Sequence, residues 1–261
     1  MTQFPKADKK LGQHFLKDQA VIRDITNDFA AEAKDIIEVG PGPGVLTSPL
    51  AELEKNLHVI EKDARFIPAL SQLTSEVYHH DALDFSWEQL FSKIGHSDIW
   101  LVSNLPYNVG TPLFIKFLAF APIKFMTLMF QKEVGEKTIA RAKKNSMNGL
   151  EILTSIYFEA KLLRKVPPGC FSPPPKVDSI VISYRRKESP QFPLEEFHKI
   201  DRWCRVIFSQ KRKQLGSVLK KNLTPDQFQM IKETFSEILP RRAEALTKEQ
   251  VYDLLRNFLQ F

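Results

Sequence analysis

Three glycines at alternate positions, Gly40, Gly42 and Gly44, stand between a short apolar run and a segment with helical spacing, in Glu38-Val39-Gly40-Pro41-Gly42-Pro43-Gly44-Val45-Leu46-Thr47. Glycines let the chain turn tightly and let a ligand approach the backbone. The two interleaved prolines stiffen the loop and remove two N–H donors. Such a loop is poorly equipped to cradle a pyrophosphate, which needs those donors, and its spacing departs from the G-x-G-x-x-G of dinucleotide sites. Both points disfavour a nicotinamide-dependent oxidoreductase and favour a nucleoside ligand without phosphates. Glu61 closes the next apolar run, where a carboxylate can take both hydroxyls of a ribose, and Asp81 closes a third. Singly, the glycines could serve only a strand-to-helix turn, and either acid could be a solvated strand end. Together they are the layout of a ligand crevice at the carboxyl edge of a sheet.

A second set follows a fourth run, in Ser103-Asn104-Leu105-Pro106-Tyr107-Asn108. Asn offers a donor and an acceptor, Pro fixes the chain direction and turns the Leu105 carbonyl away from a regular ladder, and Tyr presents a flat ring. Two acceptors, Asn104 and a backbone carbonyl, can hold the hydrogens of an exocyclic amine while the ring stacks a base. An adenine amine is a weak nucleophile because its lone pair is conjugated with the ring. Held this way, the lone pair turns towards a sulfonium methyl, and positioning can supply much of the rate without a dedicated base. Alone, these four residues could equally be a proline turn.

The elements that must carry these residues follow from pattern. Asp35–Val39, Leu57–Ile60, Glu76–His80, Ile99–Val102 and Phe125–Phe130 are short apolar runs that suit buried parallel strands. Helical stretches lie between them. In one, Thr111 to Leu118, Thr111 is the expected N-cap and Pro112 the first helical residue. This alternation predicts a doubly wound α/β domain. Lys161–Val166 and Ser179–Tyr184 read as strands that pair antiparallel across a proline-rich bend. Glu188 to Pro193 reads as a linker, and Leu194 to Phe261 as a small all-helical appendage.

In this order, Lys10-Leu11-Gly12-Gln13-His14-Phe15-Leu16, Glu38 to Thr47, Glu61, Asp81, Asn104 to Tyr107, Phe171-Ser172-Pro173-Pro174-Pro175-Lys176-Val177-Asp178-Ser179 and Phe208 to Lys213 resemble the ribosomal RNA adenine dimethyltransferases over nearly the whole chain. The last two blocks are most similar to the small-subunit class. The resemblance implies a Rossmann-like class I methyltransferase sheet with an antiparallel final strand in residues 1–190, and a helical RNA- and ribosome-binding domain in 191–261. The implied activity is N6,N6-dimethylation, with S-adenosylmethionine as cofactor, of two adjacent adenosines near the 3′ end of 16S ribosomal RNA in the small subunit, with a role in ribosome biogenesis. It implies that His14, Leu16, Gly40, Glu61, Asp81 and Asn104 meet the cofactor. Many relatives carry Asn where this chain has His14, so the backbone there is an alternative contact. Asn104, Leu105, Pro106 and Tyr107 would hold the target amine and base, and Phe171 would close on the flipped base from the other face. Extruding the base costs a few kcal/mol, of which stacking returns roughly 1–3 kcal/mol. The rival readings are the sister class acting on large-subunit RNA and a non-catalytic small-subunit assembly factor.

The bulk numbers agree. The chain has 261 residues, 43% hydrophobic and 26% charged, enough for one large domain and a small one. No apolar stretch is long enough for a membrane span, and the charged first ten residues have no apolar h-region of a signal peptide. Cys170 and Cys204 lack metal-site or disulfide-framework spacing, so no metal site is expected and a reducing cytoplasm fits. The net charge is +6 and the pI about 9.2. Arg202, Arg205, Lys211, Arg212, Lys213, Lys220 and Lys221 follow one another with no acid between. Further basic runs lie at Lys6 to Lys17 and at Arg141, Lys143 and Lys144. Each could be a solvated face, but three together point to a polyanion, with Arg141, Lys143, Lys144, Lys211, Arg212 and Lys213 the expected RNA contacts. A monomer without membrane association is expected.

Overall fold

The computed structural model describes residues 12–95, 98–139 and 147–261. They form two compact units, one of residues up to Gly135 together with Glu159–Arg186, the other of Glu136–Phe158 with Lys187–Phe261. Among the described residues no helix is long and apolar enough to cross a membrane.

The first unit opens with β1 (Phe15–Leu16) and α1 (Gln19–Asn27). It continues through β2 (Asp35–Val39), α2 (Thr47–Ala51), β3 (Asn56–Glu61), α3 (Ile67–Leu70), β4 (Glu76–His79), α4 (Trp87–Ile94), β5 (Ile99–Asn104), α5 (Gly110–Leu118), β6 (Ile123–Gln131) and α6 (Lys132–Gly135). After α7 (Gly149–Tyr157), which lies in the second unit, come β7 (Phe158–Val166), β8 (Phe171–Ser172) and β9 (Ser179–Arg186). A seven-stranded sheet has the order β4-β3-β2-β5-β6-β9-β7. β4, β3, β2, β5 and β6 are parallel, and β9 runs antiparallel to β6. The five expected parallel strands are all present. β7 and β9 are neighbours as expected, with β9 inserted between β6 and β7.

Ile99 to Val102 are all fully buried, as a central strand covered on both faces requires. From β2 the chain moves outward to β3 and β4, then returns to place β5 on the other side of β2. The strand order reverses there, and the carboxyl ends of these two strands carry the glycine loop and Asn104. That is where doubly wound sheets open a crevice.

One expectation fails in α5. The helix starts at Gly110, with Val109 as its N-cap and no side-chain cap. The Val109 carbonyl accepts the first helical bond, from Leu113 N–H at 3.1 Å, so Thr111 lies inside the helix. Pro112 remains in the first turn, where its missing N–H costs nothing.

The second unit holds α7 with α8 (Phe197–Ile207), α9 (Leu215–Leu219), α10 (Pro225–Phe235) and α11 (Lys248–Phe258). Capping boxes at Thr224/Gln227 and Thr247/Gln250 start α10 and α11. Trp203 stacks on Phe258 with ring centroids 4.2 Å apart. The boundary expected at 190/191 does not coincide with the division into units. The second unit also takes residues 136–158 from mid-chain, because α7 buries most of its side chains and packs there. A β-carbon on Gly149 would lie 3.5 Å from Cys204 of α8, and Ser155 shares a hydrogen bond with the Tyr252 hydroxyl of α11 at 2.8 Å.

Candidate active site

A cleft at the carboxyl edge of the sheet is lined by the glycine loop, the ends of β3 and β5, the turn after β4, and residues 12–16. Gly40, Gly42 and Gly44 all have positive φ, the left-handed conformation that side chains disfavour. At Gly42 (φ +56) a β-carbon would also meet the Phe15 ring at 3.2 Å. With no side chain in the way, Gly42 donates its N–H to Glu61 Oε2 at 2.8 Å. Glu61 Oε1 accepts from Asp63 N–H at 2.7 Å. Both oxygens are thus fixed by backbone before any ligand arrives. Burial pushes the Glu61 carboxyl up, and these two N–H groups oppose it.

Asp81 lines the same cleft. Burial pushes its carboxyl up, but Lys62 Nζ at 2.6 Å and the Leu83 N–H more than offset this and hold it below its ordinary value. Glu38, only 1% exposed, is a third acid in the wall. Its Oε2 has no hydrogen-bond partner among the described residues. Burial first, and then the Glu61 carboxylate, push Glu38 up to about 8, with the nearby Thr47 hydroxyl pulling the other way. Glu38 has no separate role among the site residues expected from sequence. Its signal was an acid inside the otherwise apolar Ile36-Ile37-Glu38-Val39.

Residues 12–16 form one wall. β1 pairs antiparallel with β8, Phe15 opposite Ser172 and Leu16 opposite Phe171. His14 Nδ1 donates to the Pro173 carbonyl at 2.9 Å, the carbonyl fixing the direction. The His14 ring stacks on Tyr107 with centroids 5.3 Å apart and 30° between planes. Asn104 Nδ2 donates to the His14 carbonyl at 3.0 Å. With Nδ2 engaged, Asn104 Oδ1 is the acceptor left over. Leu105 N–H bonds the Met129 carbonyl at 3.2 Å, continuing the β5–β6 pairing past the strand end. The Tyr107 hydroxyl shares a 2.6 Å hydrogen bond with Ser179 Oγ at the start of β9.

The structure therefore brings His14, Leu16, Gly40, Glu61, Asp81, Asn104, Leu105, Pro106 and Tyr107 to one cleft. It does not bring Phe171 there. That ring is 1% exposed and belongs to the hydrophobic core with Leu16 and Val181, because the β1–β8 pairing turns it inward. Arg141, Lys143 and Lys144, like Lys10 and Leu11, lie outside the described residues. Lys211, Arg212 and Lys213 are exposed in the second unit, between α8 and α9. Arg205 is held by Asp201 of its own helix at 2.9 Å. Among the described residues no group of three or more His, Cys, Asp or Glu could hold a metal ion.

Residues 5–260 match the family model described as ribosomal RNA adenine dimethylase. Ribosomal RNA small subunit methyltransferase A of Clostridium botulinum (strain Okra / Type B1) is 35% identical over 265 residues, which cover 96% of each chain. The protein of the same name from Cereibacter sphaeroides (strain ATCC 17025 / ATH 2.4.3) is 37% identical over 263 residues, covering 96% of this chain and 91% of that one. Among solved structures, a dimethyladenosine transferase from Plasmodium falciparum aligns with TM-score 0.76 and 25% identity, covering 95% of this chain and 98% of that one. The 23S rRNA methyltransferase ErmE shares the fold at TM-score 0.65 and 22% identity, covering 94% of this chain and 100% of that one. A cleft at the strand-order reversal, three acids in its wall and an Asn-Leu-Pro-Tyr turn at its edge are thus found in a chain that belongs to the ribosomal RNA adenine dimethylase family.

Proposed function

We propose that this protein uses S-adenosylmethionine to dimethylate N6 of two adjacent adenosines near the 3′ end of 16S ribosomal RNA, in the small subunit in the cytoplasm, and takes part there in ribosome biogenesis. The observation that carries the reading is Asn104, whose Nδ2 donates to the His14 carbonyl while the side chain lines an acid-walled cleft in which Oδ1 can serve as acceptor.

The residues present suit this cofactor. It is a cationic nucleoside without phosphates. The cleft sets Glu38, Glu61 and Asp81 against Lys62, and its loop keeps few N–H donors for a phosphate. Glu61 would take the ribose hydroxyls, Asp81 the adenine amine, and the backbone at Gly40 and His14, with the Leu16 side chain, the methionine part. Glu38 Oε2, without a hydrogen-bond partner among the described residues, gives a cation something to answer. When bound, the cofactor supplies an electrophilic methyl group on sulfur.

The chain's own part is to hold the amine. Asn104 Oδ1 and the Leu105 carbonyl would accept its two hydrogens, Pro106 fixing the turn that presents that carbonyl. This draws the lone pair out of conjugation and aims it, an effect of orientation. Tyr107, anchored through Ser179, would stack the extruded base in exchange for His14. Phe171 supports the wall from the core. Lys211, Arg212 and Lys213, with Arg141, Lys143 and Lys144, would grip phosphates and position the RNA without reading its bases.

The test is methyl transfer from labelled S-adenosylmethionine to small ribosomal subunits that lack adenine dimethylation, with the labelled nucleotide identified by mass. Dimethyladenosine in 16S RNA is expected. Label appearing only on naked large-subunit RNA would move the assignment to that substrate. Tight subunit binding without transfer would make the protein an assembly factor.

A further inference from the structure

A chain of polar contacts runs along the cleft wall, and two of its members, Gln13 and Asp63, have no part in the proposed chemistry. Asp63, 7% exposed, stands outside the ring of lining residues. Its Oδ1 accepts from the Arg65 backbone N–H at 3.1 Å and from Arg65 Nε at 2.8 Å. Its Oδ2 accepts from Arg65 Nη2 at 2.5 Å and from Gln13 Nε2 at 2.9 Å. Through its own N–H, Asp63 donates to Glu61 Oε1, and the other oxygen of Glu61 holds Gly42. One line of hydrogen bonds thus joins Gly42, Glu61, Asp63 and Gln13. It links the glycine loop, the end of β3 and the 12–16 segment.

We propose that Gln13 and Asp63, braced by Arg65, are positioning residues for the cofactor: they fasten the 12–16 segment across the cleft to the same turn that aims Glu61, so that closure of that wall and orientation of the ribose-binding carboxylate are set together. The inference rests on the reading that the cleft binds S-adenosylmethionine.

Three observations support it. Three other ties of the segment, the β1–β8 pair and the bonds of His14 to Asn104 and Pro173, involve His14 or the residues after it. Gln13 adds a tie on the side before them, to Asp63. A neutral amide gains most from an ionised acceptor. The Arg65 guanidinium, with the Gln13 amide and against burial, holds the Asp63 carboxyl down at about 2, so that acceptor stays charged across the working range of pH. Finally, Phe15 packs edge-on against Phe66, with centroids 5.8 Å apart, so an apolar contact seats the segment on the residue next to Arg65.

A fastener of the cleft wall acts on how long the ligand stays. The experiment is binding of S-adenosylmethionine and of its demethylated product, S-adenosylhomocysteine, to the full chain by calorimetry and by dissociation kinetics, with hydrogen exchange followed over residues 12–16. Gln13→Ala is expected to raise Kd roughly tenfold, mainly through faster dissociation, and to abolish the protection of 12–16 that the cofactor confers. In turnover the loss should fall on KM for the cofactor rather than on kcat. Asp63→Ala should show the same defect, and the double variant should be no worse than Asp63→Ala alone, because the Gln13–Asp63 bond is lost in all three. Because Asp63 also caps the turn at Arg65, Gln13→Ala is the deciding variant if Asp63→Ala folds poorly. Wild-type dissociation from Gln13→Ala, or losses that multiply in the double variant, would overturn the inference alone. A wild-type chain that binds neither compound would sink the cofactor reading and this inference with it.

Discussion

Asn104 divides its amide between the fold and the cleft. Nδ2 holds the His14 carbonyl, so replacing the side chain removes an acceptor for the substrate amine and a tie on the 12–16 segment. Asn104→Ala is expected to lower single-turnover methyl transfer by about 100-fold or more, the scale of removing one well-placed polar group from the reacting centre. It should weaken cofactor binding only severalfold in calorimetry. Transfer within tenfold of wild type would remove Asn104 from the chemistry. Glu38 makes a pH-dependent claim. Its carboxyl sits at about 8 in the fold against an ordinary 4.5, so between those values the folded state keeps a proton that the unfolded chain sheds. Stability therefore falls as pH rises from about 4.5 to about 8, by up to roughly 1.4 kcal/mol per pH unit, and levels off above. Glu38→Gln should remove that slope and be more stable than wild type at pH 8 by denaturant titration. A bound cation favours the ionised form, so cofactor affinity in the wild type should climb towards pH 8, and this rise should disappear in Glu38→Gln. Parallel stability profiles for the two proteins would show that Glu38 is already ionised.

At the scale of elements, the loop between β2 and α2 is the most constrained piece of the site. Gly42→Ala must hold a positive φ, at a cost of about 1–2 kcal/mol, and must displace the Phe15 ring. Both stability and cofactor affinity should drop, as thermal melts with and without ligand would show. In the second unit, Thr247→Ala removes the capping box of α11 and should cost about 1 kcal/mol, with cofactor affinity unchanged. The parallel strands were legible because each is an unbroken apolar run closed by a turn residue or an acid. The start of α5 was not, since Val109 caps it with backbone alone. β1 and β8 were not either, as two-residue strands carry no period. The crevice residues could be named from strand ends, but not their ties. Gln13 and Asp63 lie 50 residues apart, and His14 and Pro173 lie 159 apart, where no local pattern reaches. Phe171 was misplaced for a related reason, since its identity does not reveal that β8 turns it into the core.

For the whole molecule, the exposed cluster Lys211, Arg212 and Lys213 has no acidic partner among the described residues. Reversing all three to Glu should weaken subunit binding and flatten its dependence on salt, by roughly 0.7–0.9 in the log–log slope for each phosphate no longer neutralised. Filter binding across a salt series would measure this, and an unchanged slope would mark the cluster as solvated only.

The strand order also sets a timetable for the newly made chain. β9 is the last strand of the sheet to be synthesised, yet it lies inside, between β6 and β7. Until it emerges, the open edge of β6 is exposed and β7 has no place to dock, a state prone to wrong pairing. β1, although made first, waits for β8, and α7 waits for α8. The wall over the cleft can therefore close only after about two thirds of the chain has been translated. A stalled or truncated product ending before β8 would keep its glycine loop and acids but lack the partner strand that closes this wall.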